Sequence, residues 1–263
     1  MTLSMFDLSG KIALVTGGNG GIGRGIALGL AGCGADIAIA ARNPDKLAAV
    51  ATEIEAAGRR VLAVRCDVTQ RESVAQVISR IVATLGGLDV VINCAGINGI
   101  APAPDKIPPQ TWDAVLATNL TGAHIVSTLA YPELVKRGGG KIINISSMMA
   151  IFGGKTLAAY AATKGGLEQY TKSCAVAWAA DNIQVNAIEP GWITTDMTRG
   201  SRSDPAKYGN IIDRTPAGRY GEPADLAGAA VFLASRAADF VSGACLPVDG
   251  GYASQGTSKT IGV

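Results

Sequence analysis

The amino-acid sequence predicts an α/β protein: a doubly wound, mostly parallel, seven-stranded sheet with helices on both faces. Three observations carry that expectation. A short apolar run without polar alternation, 12–15, reads as a strand buried on both faces, and further short strands follow it. Longer segments with helix start and stop signals separate them, so strand and helix alternate along the whole chain. The connection after the first strand is a glycine loop, with Gly17, Gly18, Gly20, Gly21, Gly23 and Gly25 close together, that runs directly into a helix.

Taken in order, the strand at 12–15 opens onto that loop, where backbone N–H groups can approach a phosphate without Cβ interference and the helix directs its positive end at the same spot. A second strand at 36–41 closes a βαβ unit. Asn43-Pro44-Asp45 then starts a helix over 46–57 that stops at Gly58. Residues 61–66 read as another buried strand, ended by Asp67. A helix from 69 or 70 to about 85 stops at Gly86-Gly87, before the strand at 89–93. Beyond a loop holding Pro102, Pro104, Pro108 and Pro109, residues 110–137 read as helical with interruptions near Gly122 and Pro132. A fifth strand (141–145), a long helix (158–179) and a sixth strand (183–188) follow. The polar, irregular stretch 191–221 reads as a substrate lid from 192 to 221, before a helix at 224–235 and a last strand at 244–248. No repeat or linker divides the chain, so residues 1–263 read as a single domain, and MTLSMFDLSGK reads as a surface lead-in rather than a secretory signal.

Composition narrows the function classes. With 48% hydrophobic and 17% charged residues the chain can bury a large core. Lys plus Arg number 23 against 21 Asp plus Glu, with no basic block, which argues against nucleic acid as a principal ligand. The apolar run at 226–234 is too short to cross a bilayer, so no membrane partner is expected. Five cysteines without metal-ligand spacing (Cys33, Cys66, Cys94, Cys174, Cys245) read as reduced residues of a cytoplasmic protein, and no metal site is expected.

In doubly wound sheets ligands bind at the carboxyl ends of the strands. That rule selects the chemistry-bearing residues. Tyr160 and Lys164, in YAATK, share one face of the long helix through their i, i+4 spacing. A free tyrosine titrates near pH ~10, and a nearby cation can lower an acidic group by roughly 1 to 3 units, which makes Tyr160 a candidate proton donor and acceptor. Ser147, at the end of the fifth strand, can meet it over one pocket and hydrogen-bond a carbonyl. Taken singly, YxxxK also describes a surface tyrosine beside a solvated lysine, and Ser147 a strand-terminal cap. Met148, Met149, Phe152 and Trp192 flank the proposed pocket, while His124 reads as a packed helix residue.

The combination is more specific. TGGNGGIG at 16–23, NCAG at 93–96, Asn119, the Ser147, Tyr160 and Lys164 set, and PGWITT at 190–195 stand in an order and spacing that resemble the short-chain dehydrogenase/reductase family over about residues 7–252. Within it the chain looks most similar to gluconate-type dehydrogenases and 3-oxoacyl carrier-protein reductases. The resemblance implies a Rossmann-type NAD(P)H-dependent oxidoreductase that interconverts a secondary alcohol and a ketone by hydride transfer. Tyr160 would be the general acid/base, Lys164 would lower its pKa and bind the nicotinamide ribose, Ser147 would orient the carbonyl, and Asn119 would hold a water in a proton relay. Gly17, Gly21 and Gly23 would line the pyrophosphate together with Asn19 and Ile22. Arg42, Asp67 and Val68 would surround the adenosine, and Asn93, Ala95 and Gly96 would form the cofactor-side wall. Pro190, Gly191, Ile193 and Thr195 would hold the nicotinamide, with Tyr160 and Lys164 touching its ribose. Alternatives on this scaffold are an isomerase or dehydratase, or a protein that senses the dinucleotide without turnover.

Cofactor choice is read at the end of the second strand, IAIAAR. An NAD site wants a carboxylate there for the ribose hydroxyls, and this chain offers Ala41 and then Arg42, a cation for a 2′-phosphate. NADP(H) is therefore the expected preference, with NAD(H) also usable, because Asn19 gives the loop no second cation. Small residues on the long helix (Gly165, Gly166, Ala175, Ala177, Ala179) suggest close helix pairing between subunits and a homotetramer, or at least a dimer.

Overall fold

The computed structural model describes residues 4–256; residues 1–3 of the lead-in and the end of the 1–263 domain, 257–263, lie outside the described residues. Seven strands form one all-parallel sheet: β1 (Ile12–Thr16), β2 (Asp36–Ala41), β3 (Val61–Arg65), β4 (Val90–Asn93), β5 (Gly140–Ile145), β6 (Ile183–Pro190) and β7 (Cys245–Val248). Their order is β3-β2-β1-β4-β5-β6-β7. The expected doubly wound sheet is thus present, with its switch point between β1 and β4, where Thr16 pairs with Asn93.

Alternate residues of each inner strand feed two separate cores. Ala13 and Val15 pack against α1 (Gly21–Gly32), α2 (Pro44–Ala56) and α9 (Ala227–Ala234), through Ile26, Leu30, Val50, Ile54 and Leu233. Ile12 and Leu14 face the opposite layer, made by α3 (Arg71–Leu85), α5 (Gly122–Lys136) and α6 (Ala158–Ala177), through Val77, Ile81, Val126, Leu134 and Cys174. Each fully buried Leu, Ile or Val contributes about 1.5–3 kcal/mol relative to exposure, so this two-sided filling explains the unbroken apolar runs. Helix α1 approaches its neighbours so closely that a Cβ on Gly25 would stand 2.4 Å from the Pro223 carbonyl oxygen.

Four expectations need correction. β3 is only half-buried, with Arg65 exposed, because it is the edge strand and one flank has no neighbour. The helix expected over 110–137 is α4 (Pro109–Leu116), then a π-helical turn (Ala117–Thr121), then α5; Pro132 sits inside α5 without ending it. The lid is not irregular throughout: it holds α7 (Arg199–Arg202) and α8 (Pro205–Asp213), the latter capped by Asp204 accepting from the backbone N–H of Ala206 and Lys207. His124, expected to be packed, is exposed, with Nδ1 3.3 Å from the Tyr170 hydroxyl.

Candidate active site

The carboxyl ends of β1 to β4 frame a cleft of about 240 Å³. Gly17 and Asn19 line it from the glycine loop, Ala40 to Asn43 from the end of β2, Cys66, Asp67 and Val68 from the end of β3, and Ala95, Gly96 and Ile97 from the end of β4. Thr118 adds a side chain from the π-turn. Asn43, Cys66, Ile97 and Thr118 were not singled out from sequence; the first two merely flank Arg42 and Asp67, which a strand-end rule applied one residue wider would have included.

Two helices present their N-termini toward this cleft, and they begin differently. α2 is capped: the Asn43 side chain accepts from Lys46 N at 3.0 Å. α1 begins at Gly21, and its N-cap, Gly20, has no side chain to accept from the first-turn N–H groups. Gly17, at φ 68°, takes a backbone that a larger residue would strain, and a Cβ there would meet the Ala95 backbone at 3.0 Å. A helix end without a side-chain cap behind a glycine-rich loop fits an anionic diphosphate.

Charge where β2 and β3 meet the cleft is mixed. Arg42 has no ion-pair partner among the described residues, although Asp67 lies within its field. Burial raises the Asp67 carboxyl, but hydrogen bonds from Thr69 and the charges of Arg42 and Arg65 bring it below its ordinary range, so it is ionised at neutral pH. Lys46 reaches across to the base of the lid, 3.0 Å from Asp196.

The catalytic candidates converge beyond the cleft. Ser147 (end of β5) and Lys164 (α6) are buried, whereas Tyr160 keeps part of its ring open. Lys164 Nζ donates to the Ile145 carbonyl oxygen at 2.6 Å and stands 5.3 Å from the centre of the Tyr160 ring. Burial pushes the Tyr160 phenol up to about 12, the Ser147 hydroxyl pulling weakly the other way, so the phenol is a proton donor throughout the neutral range. Burial also brings Lys164 down to about 8 and the neighbouring Cys94 thiol up to about 11. Lys164, whose ammonium lies off the ring rather than at the hydroxyl, is not among the groups that shift the phenol in this arrangement.

Two further candidate residues make hydrogen bonds within the protein. The Asn119 amide is fully engaged: Oδ1 accepts from Ile97 N at 2.9 Å, while Nδ2 donates to the Ile97 carbonyl at 2.9 Å and to Thr163 Oγ1 at 3.2 Å. It clamps the loop after β4 onto α6. Asn93 is not among the residues lining the cleft; its Nδ2 donates to Ser127 Oγ and Asn144 Oδ1, while its buried Oδ1 has no hydrogen-bond partner. Beyond the end of β6, Thr195 lies over the glycine loop, where a Cβ on Gly21 would be 3.1 Å from its methyl, and Ile193 packs at Gly221. Ile22 lies in the first turn of α1, and Pro190 ends β6 with Gly191 directly after it.

Comparison with known proteins agrees with this geometry. The family described as enoyl-(acyl carrier protein) reductase matches residues 17–253. A 2-dehydro-3-deoxy-D-gluconate 5-dehydrogenase of Bacillus subtilis is 43% identical over 250 residues, 95% of this chain and 97% of that protein. A gluconate 5-dehydrogenase of Gluconobacter oxydans is 38% identical over 247 residues, 94% and 96% of the two chains. Among solved structures, a gluconate 5-dehydrogenase from Burkholderia cenocepacia in complex with NADP and tartrate superimposes with a TM-score of 0.93 at 40% identity, covering 97% of this chain and all of that one.

Proposed function

The chain belongs to the short-chain dehydrogenase/reductase family, and from that premise we propose that it interconverts a hydroxyl and a keto group of a sugar acid, with NADP(H) preferred over NAD(H). It is a nicotinamide-dependent dehydrogenase acting on CH–OH groups. The single observation that carries the reading is the meeting of Tyr160, Ser147 and Lys164 beyond a cleft built for a dinucleotide.

When bound, the cofactor supplies or accepts the hydride. The protein's own residues handle the proton and the position of the carbonyl. Tyr160, held protonated by burial, donates its phenolic proton to the oxygen that becomes the alcohol, and takes it back in oxidation. The Ser147 hydroxyl donates to the same oxygen and holds it near the phenol. Lys164 stands ready with a proton close to its release point and, in this reading, bonds the nicotinamide ribose. Asn119 keeps the β4 loop against α6 at Thr163, which makes it a positioning residue. Gly17, Gly21, Ile22 and Gly23 shape the pyrophosphate loop, with Asn19 beside them, and Asp67, Val68, Ala95 and Gly96 enclose the adenosine.

The names of the relatives support a sugar-acid substrate, and so does the lid. Trp192 Nε1 and Arg202 Nε are buried donors without an acceptor, the kind of groups a carboxylate satisfies. Arg42 supports the NADP(H) preference. A cytoplasmic homotetramer is part of the same reading, motivated by the small residues of α6; among the described residues no helix is long and apolar enough to cross a membrane.

A panel of keto sugar acids, neutral ketones and 3-oxoacyl thioesters, read by nicotinamide absorbance with each cofactor, tests the reading. Highest kcat/KM with a keto sugar acid and NADPH is expected. Equal turnover of neutral ketones would remove the sugar-acid assignment, and no turnover of any carbonyl would favour an isomerase or a sensor.

A further inference from the structure

A second group of titratable side chains, untouched by the reaction, lies directly beneath the catalytic candidates. Glu168 follows Lys164 by one turn of α6 and is 9% exposed; Glu189, the residue before Pro190 on β6, is 4% exposed. Their carboxyl oxygens and the Cys245 sulfur at the start of β7 all lie within 4.8 Å of one another. Sequence spacing gave no hint of this meeting, because it joins three elements across the sheet edge.

Glu168 is tied to the active site by a specific contact. Its Oε1 accepts from Ser146 Oγ at 2.7 Å, and that same hydroxyl stands 3.5 Å from the Lys164 carbonyl oxygen. Ser146 is 1% exposed and precedes Ser147 in the chain. One side chain therefore links the strand end that carries the catalytic serine to the helix turn that carries the catalytic lysine.

The electrostatics around the pair are lopsided. Facing Glu189 are Glu168 and Lys172 from α6, Asp249 beyond β7, and the Cys245 thiol, so a single ammonium is set against three carboxyls. Two buried carboxyls this close do not both ionise readily, because like charges in a poorly solvated site repel. Burial first, and then the facing Glu168, hold the Glu189 carboxyl up to about 7.

We propose that Glu168 and Glu189 share one proton and, in that state, position Ser147 and Lys164 through Ser146, so that activity falls when the pair becomes doubly charged. Both are positioning residues; neither reaches the substrate or cofactor. With the proton present, one carboxyl donates to the other and Glu168 keeps an oxygen for Ser146. Without it, the two carboxylates separate, and the Ser146 contact is the one that yields. The proposal rests on the assignment of Ser147, Tyr160 and Lys164 given above.

The test is the pH profile of ketone reduction. Wild type is expected to lose kcat as pH rises through about 7, well below the titration of the Tyr160 phenol. In Glu189→Gln, whose amide donates to Glu168 at every pH, that limb should move up by more than about one pH unit. An unchanged midpoint in the variant, or no ionisation near neutrality in wild type, would overturn the proposal. Should the variant fail to fold, infrared difference spectra of wild type across the same range keep the question open to decision. Loss of a protonated-carboxyl band on raising the pH is expected, and its absence would refute the shared proton. A stoichiometric divalent cation retained by purified wild type would also refute it, since a metal would then replace the proton. If instead Tyr160→Phe retained activity while the band titrated as expected, the catalytic assignment would fail and not the pair.

Discussion

Buried ionisable groups stand at both edges of the sheet, and the two edges treat them oppositely. At the amino edge, Asp36 (start of β2) meets Arg59 and Arg60, with Arg60 Nη2 at 2.7 Å. Asp89, just before β4, meets Lys11 at 3.4 Å, Arg137 at 3.1 Å and the Ile12 backbone N–H at 3.0 Å. At the carboxyl edge, Lys164 is buried and Tyr160 and Cys94 are half-buried, and desolvation rather than a facing carboxylate is the main influence on all three. A charge surrounded by partners is fixed in one state and serves architecture. A group desolvated without an opposite charge is held near its neutral form and can exchange a proton at small cost. The difference separates scaffold from site without reference to any relative.

Four substitutions break or sharpen that contrast, in descending order of effect. Tyr160→Phe should lower kcat by about 10² to 10⁴-fold while leaving cofactor affinity within a few fold and thermal stability unchanged or higher, since a buried hydroxyl is removed and the ring remains. A variant with half of wild-type kcat would sink the assignment. Asp89→Ala should do the reverse: a stability loss of about 3 kcal/mol in urea unfolding, with kcat per folded molecule intact. Activity lost in proportion to nothing but the substitution would mean that the amino edge is not merely architectural.

Arg42→Ala probes a cation that sits at the carboxyl edge without a bonded carboxylate. An Arg–phosphate contact is worth roughly 1.5 to 3 kcal/mol, so kcat/KM with NADPH should fall by about 10 to 150-fold and that with NADH should stay level. Equal values for the two cofactors in wild type would overturn the preference. Asn43→Ala removes the cap of α2 and should cost about 1 kcal/mol of stability, measured as a lower urea midpoint. No such cost is expected on replacing Gly20, where α1 has no side-chain cap to lose.

What could be read from residues alone follows a physical line. Local signals such as the apolar run 12–15, the glycine loop and the i, i+4 pair Tyr160 and Lys164 depend on neighbours in the chain, and they carry the fold and the outline of the site. Features set by distant partners were invisible. The apolar stretch of β3 looks like an inner strand because the absence of a neighbour leaves no local mark. Asp36 and Arg60 are 24 positions apart, and Asp89 and Arg137 are 48 apart, so the paired edge is a product of topology. The same holds for Asn93, whose Nδ2 is taken by Ser127 and Asn144, 34 and 51 positions away. Gly122 hinted at a break in the long helix, but only the fold shows that the break is a π-turn presenting Thr118 to the cleft and Asn119 to the β4 loop.

The switch point between β1 and β4 has a mechanical meaning. One wall of the cleft comes from the first 68 residues and the other from Ala95 onward, so a dinucleotide lying there would be a removable rivet between the two halves of the chain. Mass action then makes it a reporter: ligand at about 100 times its Kd adds about 2.7 kcal/mol to the folded state. A nicotinamide that protects the protein from proteolysis near Gly86-Gly87, far from its own contacts, would show the halves being held together through it.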